Sequence, residues 1–280
     1  MTIMVDHRFT LKKIQSLKEV IILFFQPTRM PYVECDPETF DDQVHVFGVE
    51  KEAEEFVKAY RENKHPVALM KIPQKHAPMI LSSFYSLGVN AIVYHDNGMK
   101  TCLQLEQVVK KPKIFEEQEK KGLLPLANPS LQLSIIYFME EMYRNVEHDM
   151  NHARELEEEM VANLVRSKFI VASKAAKEGE AFDPKNPEQQ KVINYIKDKD
   201  GQVFLPVFSD IGEFQKFYKD KAKGMGMLVM PFQNLRKHVL TDTKAIILNP
   251  AGSHLQIVPE QLDKLIKAFP LQTKEETPKA

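Results

Sequence analysis

Short apolar runs alternate with segments of helical period between Gln202 and Gly252. The runs at residues 202–209, 227–230 and 245–248 are too short for helices and rich in Val, Ile, Phe and Met, so they predict largely buried strands. The segment after the first run has an apolar face at helical spacing, formed by Ile211, Phe214, Phe217 and Tyr218. The pattern therefore predicts an α/β arrangement in which helices connect buried strands.

Local signals mark the ends of these elements. Asp210 stands at an N-cap position and Glu213 follows three residues later, which predicts a capped helix start. The segment from Asn249 to Gly252 (NPAG) predicts a tight turn. The first helix is expected to carry Lys221 and Lys223 at its C-terminal end, before Gly224, and a short helix is expected over residues 234–240. A further strand over residues 254–258 and a last helix that begins at Pro259 complete this half of the chain.

The first half of the chain repeats this order of elements. Its predicted strands are Val20–Phe25, Val44–Phe47, Val67–Ile72, Ala91–Tyr94 and Thr101–Leu105, and its predicted helices include residues 10–17, 50–60 and 79–87. The pair Asn97-Gly98 predicts a hairpin turn between the last two strands. Val46-Phe47-Gly48 aligns with Val207-Phe208-Ser209, and Ala91-Ile92-Val93 aligns with Ala245-Ile246-Ile247. We interpret the two halves as tandem copies of one α/β unit that have diverged from each other.

Four segments of the second half resemble the SseB family of enhanced serine sensitivity proteins. They are LPVFSD at residues 205–210, AIILNPAG at 245–252, NPSLQLSIIYF at 128–138 and SKFIVAS at 167–173. The resemblance covers residues 128–269 and rests on packing and turn patterns. It implies a bacterial protein and no defined molecular activity, since the family name refers to a serine-sensitivity phenotype.

The predicted fold class is mixed α/β (α+β), with two tandem SseB-like units that each contain a small mixed sheet with packed helices. The expected domains are a diverged SseB-like unit at residues 1–110, a helical linker at 111–127, an SseB-like unit with leading helices at 128–270 and a disordered tail at 271–280. The leading helices are expected to break between Asn145 and Asn151, and residues 26–42, with three prolines, are expected to form a loop.

Composition places the chain among ordinary soluble proteins. Hydrophobic residues make up 43% of the 280 positions and the formal net charge is −1, so no global field attracts nucleic acid or an anionic membrane. The longest early apolar run, Val20–Phe25, is too short to span a bilayer, and charged residues interrupt the N-terminus where a signal peptide would be apolar. Two cysteines favour a reducing compartment, so we expect a cytoplasmic location.

Three side chains have the spacing of a metal site. His148, His152 and Glu155 can share one helix face if the helix includes all three. No second cluster supplies the remaining ligands, and a solvated helix face explains the same spacing. We therefore expect no metal and no cofactor.

The two cysteines have simple structural interpretations. Cys35 lies in the proline-flanked loop and Cys102 in a strand, where we expect a small core residue. A nucleophilic thiol needs a neighbouring base that is itself held in place, and the sequence does not identify one.

Known catalytic motifs are absent from the sequence. Gly224-Met225-Gly226 follows a helix and precedes a strand, which is the reverse of the order in a dinucleotide-binding loop. We therefore expect no enzymatic activity. The candidate binding residues are Asp210, Asn249, Pro250 and Gly252, because open α/β sheets bind ligands at the ends of their strands.

The function that follows is a non-catalytic cytoplasmic module that binds another protein and contacts neither nucleic acid nor membrane. The alternative is a small-molecule sensor that binds a metabolite between the repeats or at the edge formed by the strand ends.

Overall fold

The computed structural model describes residues 7–112, 127–175 and 191–270 and divides the chain into two compact units, Met1–Met160 and Val161–Ala280. Each unit contains one mixed sheet with helices packed on it, which confirms the predicted fold class. Most of the predicted linker and the whole predicted tail lie outside the described residues. The domain bounds expected from the sequence stay a prediction.

The first unit alternates strands and helices. Its helices are α1 (Arg8–Ser16), α2 (Glu50–Glu62), α3 (Ala77–Leu87), α4 (Leu105–Val108) and α5 (Pro129–Met142). Its strands are β1 (Glu19–Phe25), β2 (Met30–Pro31), β3 (Glu34–Cys35), β4 (Asp42–Phe47), β5 (Val67–Pro73), β6 (Ala91–Asp96) and β7 (Met99–Gln104). Helix α6 (Met150–Arg166) crosses the division between the units, and the predicted break before it is confirmed.

The first sheet is buried on both faces. Strand β1 pairs with β2, β4 and β5, β4 runs parallel to β6, and β6 pairs with β7. Val44 and Val46 pack in the core with residues of α1, α3 and α5, whereas the alternate residues His45 and Phe47 contact Phe56 of α2. Since successive strand residues point to opposite faces, α2 covers one face and α1, α3 and α5 cover the other.

The second unit has the same strand order. Its strands are β8 (Lys168–Ala175), β9 (Lys191–Ile193), β10 (Ile196–Lys197), β11 (Val203–Phe208), β12 (Gly226–Pro231), β13 (Thr243–Leu248) and β14 (Leu255–Ile257). Its helices are α7 (Ile211–Tyr218), α8 (Pro259–Ala268) and two 3-10 helices, Lys219–Gly224 and Phe232–His238. Strand β8 pairs with β9, β11 and β12, β11 runs parallel to β13, and β13 pairs with β14.

The two sheets correspond strand by strand in their order and register. The β4–β6 register pairs Gln43 with Ala91, and the β11–β13 register pairs Phe204 with Ala245. Because Phe47 and Phe208 each lie four residues further along, the two phenylalanines are equivalent, as the sequence alignment predicts. The shared topology is consistent with tandem units, while a common origin stays a prediction.

Three local expectations need correction. The segment predicted as a loop at residues 26–42 contains the short strands β2 and β3. The helix predicted after the second buried strand of the second unit is a 3-10 helix. Helix α7 ends at Tyr218 instead of reaching the lysines beyond it, because Lys219 adopts a positive φ of 51° that interrupts the α-helix.

Gly88 ends α3 in a left-handed conformation and lies against α5. Its φ is 87°, and a Cβ at this position would lie 2.9 Å from the carbonyl oxygen of Pro129 and 3.2 Å from Cβ of Leu133. Gly88→Ala therefore combines backbone strain with a clash against main-chain atoms, and we expect it to lower the free energy of unfolding by about 3 kcal/mol. Urea titration followed by circular dichroism measures the change.

Gly98 provides the matched control. Its φ is 79°, yet a Cβ there would have no neighbour within 4 Å. Gly98→Ala carries the backbone strain alone, so we expect about 1 kcal/mol. Equal losses in the two variants would show that the approach of α5 to Gly88 contributes nothing.

Candidate functional site

The predicted binding residues lie where the parallel strands β11 and β13 end. Asp210 caps α7, with its Oδ1 accepting the Glu213 N–H at 2.9 Å, and its Oδ2 accepts from the Ser209 hydroxyl at 2.7 Å. Asn249 follows β13, where its Oδ1 accepts the Ser209 N–H at 2.9 Å and its Nδ2 donates to Ser209 Oγ at 2.9 Å. The structure thus brings Asp210 and Asn249 together through Ser209.

Gly252 joins the same cluster through Glu213. An added Cβ on Gly252 would lie 2.5 Å from Oε2 of Glu213, so the carboxyl group rests against the glycine. Pro250 is half-buried, and its carbonyl oxygen accepts from His254 Nδ1 at 3.2 Å. The four residues therefore lie close together, and Ser209 and Glu213 are the side chains that connect them.

The cluster is closed to solvent. Ser209 and Asn249 are fully buried, and Asp210 and Glu213 are nearly so. Burial raises the pKa of Glu213, Lys216 opposes that rise, and the neighbouring Asp210 adds to it. The hydrogen bonds described here serve a helix cap and a turn, and binding of a ligand at this edge stays a prediction.

The first unit contains a hydrogen-bonded chain that no sequence pattern indicates, with two buried histidines and two partly exposed ends. His45 Nε2 lies 2.6 Å from Glu34 Oε2, and His45 Nδ1 lies 2.8 Å from His95 Nε2. Tyr60 donates its hydroxyl hydrogen to Glu34 Oε1 at 2.6 Å. These four residues, Glu34, His45, His95 and Tyr60, are called the histidine chain below.

The charge states of the histidine chain follow from its contacts. Burial disfavours the carboxylate of Glu34, but the hydrogen bonds from His45 and Tyr60 outweigh burial and hold its pKa below the ordinary value. Burial lowers the pKa of His95 to about 4, and His45 and Lys100 lower it further. Glu34 therefore carries a negative charge and lies within hydrogen-bonding distance of His45 Nε2, and one of the two imidazoles donates in the hydrogen bond between His45 Nδ1 and His95 Nε2.

A buried acid lies beside this chain. Glu140 of α5 is 5% exposed, and its Oε1 accepts the Val33 N–H at 3.0 Å. Burial raises its pKa well above the ordinary value, and the nearby Glu34 adds to the effect. Phe47 and Phe56 pack against the imidazole of His95, and the hydrogen bonds of Glu34 and of the Val33 N–H tie β3 to the neighbouring elements.

The expected metal spacing does not occur on one helix. Helix α6 begins at Met150, so His148 precedes it, and His148 Nδ1 lies 3.0 Å from Glu141 Oε1 instead. Across the described residues, no group of three His, Cys, Asp or Glu side chains has metal-binding geometry.

The cysteines are exposed thiols. Cys102 was expected in the core, but β7 turns it outward, so that expectation is wrong. Burial and neighbouring aspartates raise the pKa of both Cys35 and Cys102, which reduces the thiolate fraction and therefore their reactivity. His45 and His95 are engaged in the histidine chain.

Strand β12 forms an edge of the second sheet. Within the described residues it pairs with β8 and no other strand. In an antiparallel pair, residues that bond across the pair alternate with residues that do not. The Phe232 N–H donates to the Ser167 carbonyl oxygen, and every second residue before Phe232 follows the same pattern in the β12–β8 register. Residues 228 and 230 therefore bond to β8, whereas the N–H and C=O groups of Met227 and Val229 point away from it.

The side chains at this edge are apolar and exposed. Met227 and Val229 lie on one face of β12 and are each 46% exposed. The equivalent edge strand of the first unit, β5, differs: sheet register matches Leu69 to Met227 and Lys71 to Val229. Lys71 forms an ion pair with Glu50, which protects that edge from pairing with another strand. The edge of β12 has no such charge.

None of the described helices combines the length and apolar content that crossing a bilayer requires.

One comparison with known proteins supports the resemblance in the second half of the chain. Residues 146–264 match the family model described as SseB protein N-terminal domain, which confirms the predicted resemblance. The matched range begins after the first sheet, so the diverged copy predicted in the first half stays a prediction. A search of curated proteins gives no significant match.

Two solved structures align over nearly the whole chain. Anabaena Tic22 (protein transport) is 13% identical and covers 96% of this chain and 100% of its own, with a TM-score of 0.21. Tic22 from Plasmodium falciparum is 14% identical and covers 95% of this chain and 99% of its own, with a TM-score of 0.20. These TM-scores are too low for either structure to assign a fold or a function to this chain.

Proposed function

We propose that this protein, whose residues 146–264 match the SseB N-terminal domain, is a non-catalytic module that binds another protein at the edge strand β12. The observation that carries the proposal is the exposed apolar edge, where the main-chain groups of Met227 and Val229 point away from β8 and their side chains are exposed on one face of the strand. An exposed apolar edge is a template for an extended segment of another chain, which gains main-chain hydrogen bonds and apolar contacts together.

The edge offers a defined number of hydrogen bonds. The outward groups of β12 are those of Met227 and Val229, and Pro231, which also faces outward, has no N–H to donate. A partner strand of about three to four residues satisfies this pattern. The contact is small, so we expect weak and reversible binding.

The cytoplasmic location is part of the same proposal. Cys35 and Cys102 are both free thiols, which supports a reducing compartment. We also infer that the first unit is a diverged copy of the second, which their common strand order supports. The alternative of a metabolite sensor has no support at the strand ends, because the polar groups there bond to one another.

Val229→Pro tests the edge. Proline removes an outward N–H while the hydrogen bonds of residues 228 and 230 to β8 remain. The probe is a fluorescein-labelled peptide of alternating Val and Thr, about eight residues long. We expect its affinity, measured by fluorescence anisotropy, to fall about tenfold or more in the variant.

Lys71→Pro at the equivalent position of β5 is the matched control and should leave peptide binding unchanged. Val229→Lys provides a second variant, since it retains the main-chain groups and removes only the apolar contact. Binding that survives both changes at residue 229, or that is lost in Lys71→Pro alone, would contradict docking at β12.

A further inference from the structure

The segments on both sides of β12 carry positive charge. The 3-10 helix that precedes the strand contains Lys219, Lys221 and Lys223 against the single acid Asp220, and all four residues are exposed. Within the described residues these lysines form no ion pair. Three positively charged lysine side chains are therefore exposed to solvent near the Gly226 end of the proposed docking edge.

The other end of β12 is also basic. The 3-10 helix that follows the strand carries Arg236 and Lys237 in its last turn, beside His238, whose pKa is lowered by burial and by Lys237. Arg236 is paired with Asp263. Lys237 forms no ion pair among the described residues. An incoming strand therefore meets three lysines at the Gly226 end of the edge and one, Lys237, beyond the other end.

The charge decides between two kinds of partner. A second copy of this chain, paired through β12 across a two-fold axis, would place the lysines at the start of one strand near the basic end of the other, so like charges would oppose the pairing. An acidic segment would meet opposite charge instead. The edge is apolar in its centre and basic at its flanks, and the complementary partner is apolar in its centre and acidic at its flank.

The direction of the incoming strand follows from the sheet. Strand β12 is antiparallel to β8, and antiparallel pairs are slightly more stable per residue than parallel ones. In antiparallel addition, the C-terminal end of the partner segment lies beside Gly226, where Lys219, Lys221 and Lys223 are found.

We propose that β12 selects an extended apolar segment of another protein that is followed, at its C-terminal end, by acidic residues, which the lysines at 219, 221 and 223 attract. This inference rests on the proposed function, because it concerns the partner that the same edge accepts. It adds specificity: the strand supplies the docking surface and the 3-10 helix supplies the charge preference.

Four labelled peptides test the preference on the full chain. All contain the same alternating Val and Thr core, and they end in three Glu, begin with three Glu, end in three Gln or end in three Lys. At about 0.05 M salt we expect the peptide that ends in Glu to bind about tenfold more tightly than the Gln peptide. Its advantage should shrink towards equality at about 0.5 M salt, and the peptide that begins with Glu should gain less.

The triple variant Lys219→Gln, Lys221→Gln and Lys223→Gln locates the effect. It should abolish the preference for the Glu peptide and leave the affinity for the Gln peptide unchanged, since the edge itself is intact. Equal binding of the Glu and Gln peptides, or a preference that persists in the triple variant, would overturn the acidic partner while leaving docking at β12 in place. If no peptide responds to Val229→Pro, the docking function itself fails.

Analytical ultracentrifugation tests whether a second copy of this chain occupies the edge of β12. We expect a sedimentation coefficient that does not change with protein concentration. A concentration-dependent dimer that Val229→Pro dissociates would identify a second copy of this chain as the occupant and would overturn the acidic partner.

Discussion

Replacing Asn249 by alanine is expected to lower the free energy of unfolding by about 4 kcal/mol. Asn249 is fully buried, and its side chain bonds to both the N–H and the hydroxyl group of Ser209. Alanine leaves the N–H and the hydroxyl group of Ser209 buried without the side-chain amide of Asn249. The main chain of residue 249 also has a φ of 50°, which asparagine adopts more readily than alanine. Urea unfolding followed by circular dichroism measures the loss.

Asn249→Gly separates the two causes. Glycine removes the same hydrogen bonds but adopts a positive φ without strain, so it should cost about 1 kcal/mol less than alanine. Ser209→Ala supplies a further comparison, because it removes the hydroxyl and keeps the N–H bond to Asn249. A loss below 1 kcal/mol in Asn249→Ala would show that the cluster does not hold β11 and β13 together.

Much of the fold could be predicted because its signals are local. The apolar runs, the cap at Asp210 and the turn after Asn249 depend on neighbours within a few residues, and each occurs where the sequence indicates. The short strands β2 and β3 have no apolar pattern of their own. They form because they pair with long strands, which a local pattern cannot reveal.

The histidine chain illustrates what local patterns leave out. Glu34 lies in a segment expected to be a loop, and His45 and His95 belong to strands 50 positions apart. The parallel register of β4 and β6 sets His45 beside Val93 and Phe47 beside His95, which brings both imidazoles to the α2 face. The alternation within each strand indicates a shared face only once the pairing of the strands is known.

The docking edge depends on strand order in the same way. The apolar run from Met227 to Met230 predicts a buried strand. Met227 and Val229 are exposed in the structure, where this strand lies at the edge of the sheet. Sequence alone also places Cys102 in the core, although β7 is an edge strand that exposes it. Both differences concern which strand lies at the edge of a sheet, a property that sequence periodicity does not encode.

The histidine chain makes stability depend on pH. His95 has a pKa of about 4 in the folded protein, below the ordinary value of 6.5. Between these values the unfolded chain binds a proton at residue 95 and the folded chain does not, so stability falls as the pH falls. The loss attributable to His95 is about 3 kcal/mol from above pH 6.5 to pH 4.

His95→Gln isolates this contribution. The glutamine side-chain amide can keep a hydrogen bond to His45 Nδ1, but unlike an imidazole it does not titrate. Urea titrations of the wild type and of His95→Gln at a series of pH values give the difference between their free energies of unfolding. The contributions of the carboxyl groups, which both proteins share, cancel in this difference. We expect the wild type to lose stability relative to His95→Gln as the pH is lowered from 7.5 towards 4.5, with most of the change below pH 6.5.

His65→Gln tests whether the effect is specific to the histidine chain. Burial and Arg144 lower the pKa of His65, so it contributes in the same direction. His65 forms a hydrogen bond with the hydroxyl group of Tyr32, which is outside the histidine chain, and His65 is more exposed than His95. We therefore expect a smaller pH-dependent difference for His65→Gln than for His95→Gln. If the curves of wild type and His95→Gln remain parallel across this range, His95 is not held neutral by its surroundings, and the histidine chain does not control stability towards acid.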